Sequence, residues 1–400
     1  MKLELRFSLC AHSVLWIACL GLLPACSSAQ DRAVRQYWVA LRLQPQEEIV
    51  RRTEEAARLQ LELYESRYQS VAERAWFWPQ AVEVSYREWV EVQREVRRAA
   101  FEEIERVLRP EQEAVARLVE SVGGRVLRRY SSISLLLVEL PEGAAERVGQ
   151  DDRVAGVWPD PGAMVLEEVR AEKPAEWMRE ASDQRWETIP PDPPGLSMGA
   201  GPLWDRGING AGQGIAVLSS GIRPNHPVFR GLRMEGISFL REAQRDPRFT
   251  DDTSPWVDLV GGATGIASVM VGRGMPGGWE NYRGVAWGAS TLVNIKTAYR
   301  AAGDEGRFFA TAIPVDLRDA WEWLVRYRPE VKLAWSNFLL LTEYYATTYD
   351  FVCSRAVRRG SRKPVESAGP ERRNRGLGGW HTEPAHGGRH GRPWDCGPER

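Results

Sequence analysis

Few side chains in this 400-residue chain could carry chemistry, and they are thinly spread. Of five histidines, His226 stands alone in the middle of the sequence. His381, His386 and His390 fall in a Gly/Arg/Pro-rich stretch without a Cys or carboxylate pattern beside them. None has metal-ligand spacing, so no metal is expected. Of five cysteines, Cys10 and Cys19 lie in an apolar N-terminal run and Cys26 closes it. Cys353 and Cys396 remain, and one disulfide between them is permitted but not implied. The turn Gly212-Gln213-Gly214 invites a dinucleotide reading, but its glycine spacing does not continue as GxGxxG and no helix starts there. No cofactor is expected. What remains is the small-residue turn Ser219-Ser220-Gly221, directly after the apolar run Ile215–Leu218. In a parallel α/β sheet, ligand sites lie beyond such strand ends.

The elements that would position this turn begin after an export segment. Lys2 and Arg6 precede SVLWIACLGLLPAC, which is too short for a membrane span and is followed by small polar residues. Leu23-Pro24-Ala25-Cys26 resembles the lipobox of bacterial lipoproteins, and a diacylated Cys26 would tether the mature chain to a membrane. Ordinary cleavage after Ala29 is the alternative. The protein is therefore expected to be exported, either lipid-anchored in a bacterial cell envelope or secreted, with residues 1–26 outside the fold.

Residues 36–43 alternate like a strand. From 45 to about 109, apolar residues at helical separations face away from Glu and Arg, which predicts two long helices in a hairpin. The hairpin either docks on another surface or packs only on itself. Pro110 fits the first position of a third, shorter helix ending at Gly123-Gly124. Strands are predicted at 126–130, 133–140 and 154–158, with a short helix at 142–149. With residues 37–43 as first strand this makes a βαββαβ-like unit over 36–165. A charged, Pro-rich linker follows over 166–198. Residues 199–354 read as a parallel α/β domain, with a helix at 317–325 and a strand at 331–336.

The N-terminal unit, with RVLRRYSSISLLLVELPEGAAERVGQDDRVAGVWPD, resembles the prodomain that precedes subtilisin-like serine proteases (subtilases, peptidase family S8), with a long helical insertion. The second domain is similar to the family's first catalytic block at Trp204, Gly207, Gly210, Gly212, Gly214, Ala216-Val217-Leu218, Gly221-Ile222 and His226-Pro227. The resemblance implies a parallel-sheet fold and a catalytic Asp where this chain has Ser219. A serine cannot carry the charge that stabilises an imidazolium. Asp258 to Ser268 resembles the segment holding the catalytic histidine, with Gly262 at that position and Gly265 at a second histidine position. Glycine supplies no general base. Gly284-Val285-Ala286-Trp287-Gly288-Ala289-Ser290 and Leu292–Lys296 resemble the next family block. Trp335-Ser336-Asn337-Phe338 lacks the glycine of the substrate-pairing edge. Val365–Pro370 resembles the oxyanion segment, and Pro370 offers neither side-chain amide nor backbone N–H. No nucleophile block is present. The resemblance is to an incomplete, C-terminally truncated member, with the N-terminal unit docked on the second domain.

Composition narrows the remaining readings. At 43% hydrophobic and 27% charged, with net charge -1, the chain is globular and carries no overall nucleic-acid footprint. Residues 355–400 hold eleven Lys or Arg against five Asp or Glu. This basic Arg/Gly/Pro-rich tail is expected to be disordered, and no nucleic-acid partner is expected. The sequence thus predicts a non-catalytic subtilisin-like protein with a peptide or protein partner. Two alternatives stand: an endopeptidase whose active site is unrecognised or completed from outside, and a surface adaptor acting through the helical hairpin.

Overall fold

Strand β1 (Val34–Leu41) is buried over its last four residues, and successive side chains enter different cores. Trp38 and Ala40 join one apolar cluster, Val39 and Leu41 another. This is the period-two geometry of a strand covered on both faces. The computed structural model describes residues 34–72, 79–169, 193–275, 279–303, 306 and 308–336. The expected export segment with Cys26, and Asn337, Phe338, Cys353, Pro370, Cys396 and the basic tail, lie outside the described residues.

Helices α1 (Gln46–Ala56) and α2 (Arg58–Ala72) form one arm of a hairpin, and α3 (Pro79–Ser121) forms the other. The cross-arm ion pairs Arg52–Glu103 and Arg67–Glu88 make the arms antiparallel. The helix start expected at Pro110 is a correction: α3 runs through that proline. An interior proline forfeits a backbone hydrogen bond and crowds the preceding turn, at about 3 kcal/mol. Packing on both sides overrides this, because Ile104 and Leu108 before it and Val115 and Val119 after it are fully buried. Beyond α3 the chain turns at Gly123 (φ 81°) and Gly124, whose N–H groups donate to the carbonyls of Glu120 and Val119. A Cβ on Gly124 would lie 2.5 Å from the Glu139 carbonyl oxygen, so only glycine permits this approach.

Strands β2 (Arg125–Tyr130) and β3 (Leu135–Pro141), helix α4 (Ala144–Gly149) and strand β4 (Val154–Pro159) complete a βαββαβ order. The sheet runs β2-β3-β1-β4 with every pair antiparallel. On one face, Leu136, Val138 and Leu140 pack with Val115 and Val119 of α3 and Val148 of α4. On the other, Leu135 and Leu137 join Trp38.

The expected linker is shorter at both ends, another correction: residues 166–169 belong to β5 (Met164–Val169), and Pro194–Ser197 form α5. Helix α6 (Gly201–Trp204) leads to β6 (Gly214–Ser219), β7 (Arg233–Ser238) and α7 (Gly262–Val271). A small hairpin, β8 (Arg273–Met275) and β9 (Trp279–Arg283), precedes β10 (Thr291–Lys296). Then come β11 (Ala298–Ala302), β12 (Phe308–Ala312), α8 (Pro314–Tyr327) and β13 (Val331–Ser336). Strands β13-β6-β10-β7 form one parallel sheet in that order, and β11-β12-β5 an antiparallel one.

Alternation again sorts the core. Ile215, Val217 and Leu292 pack under α7 with Ala263, Ala267 and Val271. Ala216, Leu218, Val293 and Ile295 face the opposite way, toward Leu317, Trp321 and Leu324 of α8. That second cluster continues into Trp38, Tyr130, Leu135 and Leu137 of the antiparallel sheet. One core therefore spans both sheets, with α8 contributing to each side of it.

Candidate functional site

Strand β6 is buried along its whole length and delivers Ser219 and Ser220 to the C-terminal edge of the parallel sheet. Lys296, at the end of β10, is the register partner of Ser219. The segment 251–258 lies across this edge. Pro255 accepts from Ile222 N (3.0 Å) and Asn294 Nδ2 (2.5 Å), and the Val257 carbonyl accepts from Lys296 Nζ (2.7 Å). The fit is close at Gly221, where φ is 108° and a Cβ would lie 2.5 Å from the Val257 oxygen.

Asp258 organises the far side. Its Oδ1 accepts from Ser220 Oγ (2.8 Å) and Gly261 N (2.8 Å), and its Oδ2 from Thr264 N (3.0 Å) and Thr264 Oγ1 (2.7 Å). At 1% exposure, with four donors on its two oxygens, this carboxylate is spent on fastening the N-terminal end of α7 to β6. Thr264 Oγ1 in turn accepts from Arg223 N (3.2 Å). At the other end of α7, Val285 N and Ala286 N donate to the carbonyls of Val269 and Met270, which would otherwise lack partners. The Gly284–Ser290 stretch thus closes the helix whose start Asp258 fixes.

Gly262 and Gly265 lie in the first turn of α7, both exposed, and a Cβ on either would meet nothing within 4 Å among the described residues. Neither has a left-handed backbone. The structure therefore brings Ser219, Ser220, Asp258 and the first turn of α7 to one edge, with open space over Gly262. His226 does other work: its Nδ1 accepts from Val228 N (3.4 Å), starting the 3-10 turn Pro227–Phe229, and its ring meets Phe229 edge-on. Trp335 and Ser336 end β13, the edge strand next to β6.

Sequence reading missed the ion pair beneath the site. Lys296 Nζ and Asp251 Oδ1 are 2.9 Å apart, both side chains wholly buried, and Asp251 Oδ2 accepts from Arg300 N (2.8 Å). A lysine ending an otherwise apolar strand was the available signal, because such a charge needs a buried partner. The pairing commits Lys296 to structure, so it has no access to a substrate. It also missed β12, along whose edge β5 lies antiparallel, Phe308 opposite Val169 and Ala312 opposite Met164.

Among the described residues a cavity of about 490 Å³ lies between α3 and the N-terminal ends of the parallel strands, lined by Tyr86, Arg94, Arg233, Glu235, Thr291 and Glu330. Among the described residues no group of three or more His, Cys, Asp or Glu could hold a metal ion. No helix among them is long and apolar enough to cross a membrane. No family model matches the chain, and no curated protein matches it.

Proposed function

We propose that this chain is an exported, non-catalytic protein of subtilisin-like descent, a pseudo-protease that acts by holding a peptide or protein partner. The observation that carries the reading is Gly262. At the position where the resembling family keeps its general base, the chain has no side chain, is exposed, and no described atom lies within 4 Å of where a Cβ would stand. Proton transfer from a serine needs a positioned base within hydrogen-bond reach. The nearby carboxylate cannot substitute, since both of its oxygens already accept from Ser220, Gly261 and Thr264. Ser219, at the position of the family's catalytic Asp, is 3% exposed and uncharged.

Binding remains available where turnover does not. A sheet edge pairs with extended chain through its backbone alone, as β12 does with β5. The same pairing supports a docked N-terminal half. The test is hydrolysis of a broad peptide library by the full chain, with covalent serine-hydrolase labelling and intact mass followed over hours. No turnover, no label and an uncut chain are expected. Enzyme-proportional cleavage, abolished by one point substitution in this chain, would sink the reading.

A further inference from the structure

The helical hairpin between β1 and β2 does more than pack on itself. Tyr86, 5% exposed, has its hydroxyl 3.1 Å from Thr291 Oγ1 at the start of β10. Tyr68, stacked on Trp89 with rings 5.2 Å apart, reaches Ser290 Oγ at 3.3 Å. Arg94 donates to the buried carboxylate of Glu330 (3.0 Å), just before β13, and Arg97 to the Val325 carbonyl at the end of α8 (3.1 Å). Glu83 accepts from Arg233 (2.7 Å) at the start of β7, and Glu105 pairs with Arg326. Apolar packing accompanies these bonds: Phe101, Ile104 and Leu108 of α3 form a buried cluster with Val325.

All of these contacts fall at the N-terminal ends of the parallel strands or the C-terminal end of α8. The antiparallel sheet meets the rest of the chain on a different surface. There Tyr130 Oη donates to Asp319 (2.8 Å), and Glu322 accepts from the N–H groups of Ser131 and Ser132 (2.9 and 3.0 Å). The N-terminal half is thus seated at three places, through the hairpin, through the antiparallel sheet and through β5 on β12, and the seats close together like a multidentate ligand.

We infer that the helical insertion is a brace that retains the N-terminal half on the parallel sheet without need of the peptide connection, so that the two halves remain one molecule when the chain between them is cut. Attachment by the antiparallel sheet and β5 without the hairpin would let that half leave whenever those contacts opened. With the brace closed, the second surface holds the pieces at high effective concentration until the first re-forms. β5 stays on β12 as a result. The inference does not depend on whether the site is catalytic: a chain that hydrolysed peptides would overturn the proposed function and leave the brace standing.

The experiment inserts a site-specific protease sequence between residues 170 and 192 of the full chain, cuts it, and follows the pieces by size exclusion and native mass spectrometry. The cut wild type is expected to elute as one species. Tyr86→Ala with Arg94→Ala should separate at least about tenfold faster, since the first removes a buried hydrogen-bonded contact and the second takes a partner from the buried Glu330 carboxylate. Where the double variant does not fold before cutting, Tyr86→Phe keeps the packing, loses one bond and should shift the rate in the same direction by a smaller factor. Immediate separation of the cut wild type, or equal rates in wild type and folded brace variants, would overturn the inference.

Discussion

Gly221 and Gly262 sit on opposite sides of one site and obey opposite rules. Gly221 has a left-handed backbone and a carbonyl 2.5 Å from where a Cβ would stand. Gly221→Ala should therefore lower stability by about 2–4 kcal/mol, read from urea unfolding with an unchanged m-value. A loss under 0.5 kcal/mol would mean that the segment 251–258 gives way freely. Gly262 has ordinary backbone and open space, so Gly262→His should be neutral or stabilising by up to about 1 kcal/mol. Ser219→Asp places a carboxylate in a buried position beside a lysine already paired with Asp251, and should cost about 1–3 kcal/mol. Together they should still leave peptide turnover at background, because residues of a catalytic unit are non-additive. These three positions are singled out in the sequence by what its resemblance to the subtilisin-like family implies. The sequence hid the Lys296–Asp251 pair, because Asp251 stands in a polar stretch, DDTSP, that reads locally as a turn and takes its meaning only from a strand 45 residues later.

At the scale of elements, helix α8 presents acids along one side: Asp316 to the N–H groups of Glu242 and Ala243, Asp319 to Tyr130, and Glu322 to the turn after β2. Burial, outweighing the two backbone hydrogen bonds, pushes Asp316 up to about 6, and Asp319 is raised above the usual carboxylate range chiefly by burial. A carboxylate whose folded value is raised binds more protons folded than unfolded. Its contribution to stability is therefore full below about pH 4 and lost as pH rises through 6. The stability of wild type minus that of Asp316→Asn should fall by up to about 3 kcal/mol between pH 4 and 7, measured by urea unfolding at fixed salt. A flat or rising difference would contradict the assignment. Elements themselves were legible where one physical signal dominated. The apolar run read as a strand at 133–140 forms β3, whose alternate residues enter two cores. The edge strand β7, Arg-Met-Glu-Gly-Ile-Ser, has no such run, and β11 and β12 are alanine-rich. Those strands exist because neighbours pair with them, a tertiary cause that local propensity does not carry. Pro110 misled for the same reason.

Across the whole molecule, the proposed lipid site lies close to the fold: seven residues separate Cys26 from Val34, the first residue of β1. Acylation of Cys26 would hold the antiparallel sheet within about 25 Å of the membrane, at the reach of an extended chain. Mass spectrometry of the mature N-terminus should find a diacylated Cys26; an unmodified start at Gln30 would leave export without the tether. The hairpin insertion has a consequence for how such a chain assembles. The β1–β3 pairing joins residues roughly 100 apart in sequence, and β5–β12 joins residues roughly 140 apart, separations that by themselves favour slow folding. Yet most of the first interval is two antiparallel helical arms, which can zip together from local contacts and carry the ends of β1 and β2 toward each other before either strand finds β3. Closing the remaining gap then costs the entropy of a short loop instead of a long one. Substitutions that weaken the contacts between α2 and α3 should therefore slow refolding more than they speed unfolding, whereas those in the β5–β12 pairing should act mainly on the unfolding rate.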